Sequence, residues 1–91
     1  MDGENRWIVI NHEREGGHVL DTTIRMYCDL ESAEKRLVAL MRNAFEETHT
    51  KDEIADGKLW DEFVNRYESD HIFRYTADNG HRYVARIVDL Y

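Results

Sequence analysis

The feature that most constrains the fold is the alternation of apolar and polar residues near the end of the chain. Residues 72–76 and 82–88 alternate on either side of the turn 77–81, which predicts a terminal β-hairpin. A three-residue turn with Gly80 in the left-handed bulge position pairs Tyr75 with Tyr83 and Phe73 with Ala85. A two-residue Asn-Gly turn would instead mix apolar and charged groups on both faces. We therefore predict the bulged turn, since a one-residue slip would turn one strand inside out.

This register gives the hairpin two distinct faces. The apolar face carries Phe73, Tyr75, Tyr83, Ala85 and Ile87. The other face carries Ile72, Arg74, Thr76, Arg82, Val84, Arg86 and Val88. The apolar face needs a cover of helices.

Two strands are predicted at the start of the chain. Trp7–Ile10 is apolar on both faces, which is typical of a strand inside a sheet. Residues 13–17 read as a loop, and His18–Cys28 alternates as a half-buried strand paired with the first. Its apolar set, which ends at Cys28, is expected on the core side. Whether Ile8 and Ile10 or Trp7 and Val9 face the helices stays open.

Helices are predicted between the two hairpins. An apolar stripe from Ala33 to Phe45 predicts a helix over about residues 30–48, capped by Asp29. The segment 50–53 fits a capping box and predicts a short helical turn with a break near Gly57. A second amphipathic helix follows, whose apolar residues are Leu59, Trp60, Phe63, Val64 and Tyr67.

Together these elements predict one α+β domain over residues 1–91. We expect a four-stranded antiparallel sheet with helices packed on one face, in the order ββααββ. The chain has no apolar run long enough to cross a membrane. It also lacks a cationic start followed by an apolar segment, so no signal peptide is expected. The single cysteine favours a reducing, cytoplasmic location.

The charge is distributed unevenly along the chain. Residues 29–70 carry twelve acids and six bases, whereas residues 71–91 carry two acids and three bases. The first candidate partner-binding surface is therefore the acidic helical side, with Asp52, Glu53, Asp56, Asp61 and Glu62. Spaced carboxylates there would imitate a phosphate backbone and bind a nucleic-acid enzyme. The alternative is an ordinary solvated helical face.

The second candidate surface is an arginine row on the outer side of the sheet. It consists of Arg74, Arg82 and Arg86, with Arg25 as a further candidate. Protein interfaces favour arginine beside apolar groups. The alternative is that the long arginine stems simply cover the exposed sheet. Direct nucleic-acid binding is not expected, because the chain is acidic and its aromatic residues are predicted to point inward.

The sequence contains no clear catalytic or metal-binding pattern. The loop residues His12, Glu13, Glu15 and His18 could hold a divalent metal, but their spacing fits no template. Cys28 is expected to be a small buried hydrophobe. No glycine-rich phosphate motif and no nucleophilic set stands out. We therefore expect no catalytic, cofactor or metal site, and no enzyme.

The stretch from Tyr27 to Leu37, which follows the first hairpin, resembles a recurring arrangement in small orphan accessory proteins of phages and mobile elements. In those proteins a β-hairpin runs into a helix start of the form Asp-x-Glu-x-Ala-Glu, here residues 29–34. The resemblance covers the first half of the chain and transfers no functional residues. It implies a protein that binds and blocks a host protein, as anti-CRISPR and other anti-defence inhibitors do.

The sequence thus predicts a non-enzymatic inhibitor or modulator that binds a protein partner. The partner would be a nucleic-acid-processing host protein. The alternative is a self-associating accessory domain that forms a homodimer through the outer face of its sheet.

Overall fold

The computed structural model describes residues 6–89 as one antiparallel sheet with helices on one side. The strands are β1 (Trp7–Glu15), β2 (His18–Tyr27), β3 (Glu68–Ser69), β4 (Ile72–Thr76) and β5 (His81–Asp89). The helices are α1 (Leu30–Thr48), α2 (Lys51–Ile54) and α3 (Gly57–Tyr67). The strand order across the sheet is β2-β1-β5-β4-β3. The α+β class is therefore confirmed, but the described residues hold five strands and three helices.

The additional strand is β3, which sequence reasoning missed. It pairs with β4 through Glu68 opposite Phe73 and Ser69 opposite Ile72. The two residues between them, Asp70 and His71, both have positive φ, of 55° and 62°. A two-residue turn with both central residues left-handed suits the twist of a hairpin, but it usually carries Asn-Gly or Asp-Gly. The pair Asp-His gave no such signal.

The terminal hairpin has the predicted register. Tyr75 lies opposite Tyr83 and Phe73 opposite Ala85, and Gly80 has a φ of 88°. The predicted apolar face packs against the helices, where Phe73, Tyr83 and Ala85 are buried. The bulged turn is thus confirmed.

The first hairpin is longer than predicted and is oriented differently. β1 runs on to Glu15, so residues 13–15 are strand and only Gly16 and Gly17 form the turn. Val9 is only 2% exposed and lies on the helix side of the sheet. Because Val9 pairs with Arg25, the polar set of β2 shares that side, and its apolar set faces away from the helices.

The expectation that Cys28 is buried is consequently wrong. Cys28 is exposed, immediately after the end of β2. The predicted alternation in β2 is present, but its apolar set lies on the side away from the helices and not in the core. The core is filled from β1, β4 and β5, whereas most residues of β2 are exposed.

Helices α1 and α2 begin where the sequence predicts. Asp29 caps α1 by accepting from the Ser32 backbone N–H at 2.7 Å. Thr50 and Glu53 form the reciprocal capping box of α2. The predicted break falls at residues 55–56, where Asp56 caps α3, and Gly57 is the first residue of that helix.

An aromatic cluster joins the helices to the sheet. Phe45 of α1 is fully buried, with its ring centre 5.0 Å from that of Phe63 on α3. Phe63 in turn lies 5.8 Å from Phe73 and 4.9 Å from Tyr75. At the end of α1, the Tyr83 hydroxyl donates to Glu47 at 2.9 Å. These contacts fix which face of the sheet is buried.

Replacing Phe45 with alanine should destabilise the fold by about 3–5 kcal/mol, because it leaves a cavity where α1, α3 and the sheet meet. The matched control is Ile24→Ala on β2, whose side chain is 64% exposed. That change should cost within about 0.5 kcal/mol. Urea denaturation of both variants is the measurement. A large loss from Ile24→Ala would contradict the orientation of β2.

The buried hydroxyl of Tyr83 should make the fold sensitive to alkali. Burial, reinforced by the bond to Glu47, raises the pKa of Tyr83 far above the usual 10.0. The unfolded chain therefore loses this proton first, so the stabilisation is complete below about pH 10 and falls as the pH rises further. Tyr83→Phe should remove that part of the alkaline loss. Thermal unfolding from pH 8 to 11 checks this, and identical slopes for both proteins would contradict it.

Candidate protein interface on the outer face of the sheet

The outer face, meaning the side of the sheet turned away from the helices, is defined by strand register. Ile8 of β1 lies between Met26 of β2 and Val88 of β5. Ile10 lies between Ile24 and Arg86 in the next row. These rows place aliphatic side chains side by side across three strands.

This aliphatic patch is open to solvent. Ile24 is 64% exposed and Met26 is 54% exposed. Within residues 6–89, the large hydrophobic residues that are exposed are Val19, Leu20, Ile24, Met26 and Val38. All of them except Val38 belong to β2. Contiguous exposed apolar surface of this kind marks interaction sites in folded proteins.

Arginines occupy the rest of the outer face. Arg14 lies opposite Arg82, and Arg82 lies opposite Thr76 of β4. Arg74 lies opposite Val84, and Arg86 lies opposite Ile72. The predicted row of Arg74, Arg82 and Arg86 is thus brought together on one exposed surface.

Two residues of the arginine row differ from the sequence prediction. Arg25 lies on the helix side, because it pairs with Val9. Arg14 joins the row instead, because residues 13–15 belong to β1 and not to the predicted loop. The structure shows that Val9 faces the helices, and strand alternation then places the even-numbered residues of β1 on the outer face.

No carboxylate lies on the outer face among the strand residues that the structure describes. Four arginines in a chain of net charge −7 leave −11 for the remainder. Like charges directly opposite each other on neighbouring strands are unfavourable. Arg14 and Arg82 form such a pair, and Arg14 Nε is buried without a hydrogen-bond partner within residues 6–89. This arrangement suits an anionic counterpart.

A shallow depression lies at the β4 side of this surface. Its volume is about 620 Å³, and its lining is Tyr67, Arg74, Tyr75, Thr76, Arg82 and Val84. Two guanidinium groups therefore border a hollow whose other lining residues are two tyrosines, Val84 and Thr76. Such a hollow fits a carboxylate carried on an apolar surface.

The acidic candidates lie in the helical layer, away from the arginines. Asp52, Glu53, Asp56, Asp61 and Glu62 are all exposed. Two of them serve as helix caps: Glu53 accepts from the Thr50 backbone N–H, which lowers the pKa of Glu53, and Asp56 caps α3. Asp61 borders a hollow with Val38 and Met41, whereas Glu62 borders another with His49. The five carboxylates thus do not converge on one hollow.

The histidines and acids of the first hairpin are separated. His12 lies on the outer face, where its Nδ1 is 2.8 Å from Thr22 Oγ1. Glu13 points to the helix side, where it lies 3.2 Å from His81 Nε2. Within residues 6–89 no three metal-ligating side chains come together. In the same part of the chain, no helix is long and apolar enough to span a membrane.

Comparisons of the chain with protein-family models, with curated proteins and with solved structures gave no match.

The opposed arginines predict a salt-dependent gain in stability. Arg82→Gln should raise the free energy of unfolding by about 0.3–0.5 kcal/mol at low salt, because it removes the repulsion of Arg14. The gain should shrink in about 1 M salt, where charges are screened within about 3 Å. Arg74→Gln, opposite Val84, is the matched control and should show no such gain. Urea denaturation at both salt concentrations measures this, and a gain that ignores salt would contradict it.

Proposed function

We propose that this chain is a non-enzymatic protein-binding inhibitor or modulator that engages its partner through the outer face of its sheet. The observation that carries the proposal is the composition of that face, which combines exposed aliphatic rows with four arginines and has no carboxylate among its described strand residues. Arginine beside apolar groups is the composition that binding hot spots favour.

The partner surface should carry carboxylates beside apolar side chains. The aliphatic rows around Ile8 and Ile10 supply area for burial, and the arginines supply forked donors for carboxylates. A nucleic acid fits this face less well, because no Phe, Tyr or Trp side chain of the described strands points outward for base stacking. A host protein with an acidic, partly apolar surface is the partner that fits.

The specific form of the proposal is an anti-CRISPR or other anti-defence protein of a phage or mobile element, acting in the cytoplasm on a nucleic-acid-processing protein. Its support is the resemblance of residues 27–37 to small accessory proteins of that kind, together with the small size of the chain. Binding that blocks a partner needs an accessible surface and no catalytic groups, and the outer face supplies such a surface.

A second candidate is mimicry of nucleic acid by the acidic helical side. The observation that favours it is the segregation of charge, which leaves −11 on the molecule outside the four outer-face arginines. Asp52, Asp61 and Glu62 are exposed there and are not helix caps. Binding in this mode would be fast and strongly salt-dependent.

The homodimer through the outer face is the alternative to a foreign partner. Stacking two copies face to face would bring eight arginines into one interface without a carboxylate from the described strands. Like charges across an interface cost several kcal/mol. The charge of this face therefore argues for a foreign, acidic partner there.

Capture of partner proteins from bacterial lysate, with charge-reversed variants of this chain as bait, distinguishes binding through the outer face from binding through the acidic helical side. Arg74→Glu with Arg82→Glu should weaken binding of the captured protein at least about tenfold, because both are central arginines of the proposed interface. The matched control, Lys35→Glu with Lys58→Glu, makes the same charge change on exposed helical sites and should bind like the wild type. Partners are identified by mass spectrometry, and affinities are then measured with the purified partner.

A third variant addresses the acidic mode directly. Replacing Asp52, Glu53, Asp56, Asp61 and Glu62 with the matching amides keeps hydrogen-bond acceptors at the helix caps while removing five charges. Unchanged binding by this variant, with loss in the arginine variant, supports the outer face. Loss in the amide variant alone would overturn the outer-face proposal in favour of mimicry.

A further inference from the structure

The strand β2 forms a long, open edge of the sheet. It has ten residues, it pairs only with β1 among the described strands, and every residue except Thr23 and Tyr27 is exposed. Its backbone donors and acceptors on the far side face solvent. An exposed edge of this length is a template for pairing with another strand.

The opposite edge of the sheet is short. β3 has only two residues, and beyond its pairing with β4 only Arg74, Tyr75 and Thr76 of β4 lie at that edge among the described strands. By contrast, β2 has ten residues and contains no proline and no lysine, which commonly prevent edge pairing. Its bulge, at Leu20, lies outside residues 21–25. β2 is therefore the longer of the two open edges.

The charged residues of β2 are arranged so that two antiparallel copies of the strand would place opposite charges next to each other. Asp21 and Arg25 lie on the same face, four residues apart, with Thr23 midway between them. Both charged side chains are exposed, and neither forms an ion pair within residues 6–89. In an antiparallel pair centred on Thr23, Asp21 of each copy lies opposite Arg25 of the partner subunit.

We propose that β2 pairs antiparallel with β2 of a second copy of this chain, with Thr23 opposite Thr23 of the partner subunit. Two Asp–Arg pairs and one Thr–Thr pair then form on the helix side, and each kind of pair stabilises neighbouring strands. On the outer face, Thr22 lies opposite Ile24 of the partner subunit. The two sheets become one continuous sheet around a two-fold axis, which is the commonest symmetry of homo-oligomers.

The positions of the charged residues favour the register centred on Thr23 over the two registers shifted by one residue. Centring the pair on Thr22 puts Asp21 opposite Thr23 and Arg25 opposite Val19 of the partner subunit. Centring it on Ile24 puts Asp21 opposite Tyr27 and Arg25 opposite Thr23 of the partner subunit. Both shifts leave the charges opposite neutral residues. The β1–β2 pairing has a bulge, since Glu13 lies opposite Asp21 but Arg14 lies opposite Val19. Because the bulge interrupts the regular alternation of β2, we assign the pairing between the two copies only for residues 21–25.

Pairing through the β2 edge leaves the outer face of each sheet uncovered and joins the two outer faces into one larger surface. The exposed aliphatic residues Ile24 and Met26 of both copies would lie near the two-fold axis, with the arginines of β4 and β5 on either flank. The inference does not rest on the proposed function, since it concerns the edge of the sheet and not its outer face.

Sedimentation over a concentration series, with charge swaps, tests the pairing. The wild type should dimerise, and Asp21→Arg or Arg25→Asp alone should weaken the dimer about tenfold, because two attractive pairs become repulsive. The double variant Asp21→Arg with Arg25→Asp restores both pairs and should recover wild-type affinity within about threefold. Lys58→Asp, which makes the same charge change as Arg25→Asp but on α3, should leave the dimer unchanged. A monomeric wild type, or a dimer that ignores the swaps, would overturn the proposal.

Cross-linking tests the register independently of affinity. In a Cys28→Ser background, Thr23→Cys should oxidise to a disulfide-linked dimer, because residues opposite each other lie within disulfide reach. Thr22→Cys is the control: the two copies of residue 22 would be diagonal neighbours about 7–8 Å apart, beyond that reach. Cross-linking at 22 in place of 23, or at neither position, would overturn the proposed register. None of these variants alters the outer-face arginines, so the proposed function is tested separately.

Discussion

Phe45 lies where α1, α3 and the sheet meet, and its packing determines which side of the sheet is buried. Its ring contacts Trp60 and Phe63 on α3, and Phe63 carries the contact on to Phe73 and Tyr75 of β4. Once this face is committed to the helices, strand alternation commits the other face to solvent. The aliphatic and arginine-bearing outer face is therefore a direct consequence of the core.

The consequence is most visible in β2. The hairpin register ties Arg25 to buried Val9, so the helix side of β2 receives Asp21, Thr23 and Arg25. Its apolar residues are left on the outer face, beside Ile8 and Ile10. A surface with this much exposed aliphatic area is costly for a protein that acts alone, and it is the kind of surface that a partner covers.

Sequence reasoning succeeded where a local rule determines the structure. The Gly80 turn fixed the terminal hairpin register, and Asp29 and Thr50 marked helix starts that the structure confirms. It failed where the outcome depends on tertiary context. The alternation in β2 shows that one face is apolar, but only its register with β1 decides which face lies on the helix side. The left-handed Asp70-His71 turn carries no glycine, so β3 gave no signal either.

The arginines of the candidate interface show the same division between what local pattern and what tertiary pairing determine. Arg74, Arg82 and Arg86 could be grouped from the sequence because the hairpin register was correct. Arg14 could not, because the length of β1 is set by its pairing with β2 and β5 on both sides. The opposition of Arg14 and Arg82 is a contact between residues 68 positions apart, which no local pattern contains.

The central claim is that the outer face of the sheet is the surface that meets a partner protein. Methyl NMR of this protein with its captured and purified partner tests it most directly. The account predicts that the methyl signals of Ile8, Ile10, Val84 and Val88 shift or broaden on binding, while that of Val38, exposed on α1, does not. Perturbation of Val38 and Val64 with unchanged outer-face methyls would contradict the account and place the interface on the helices.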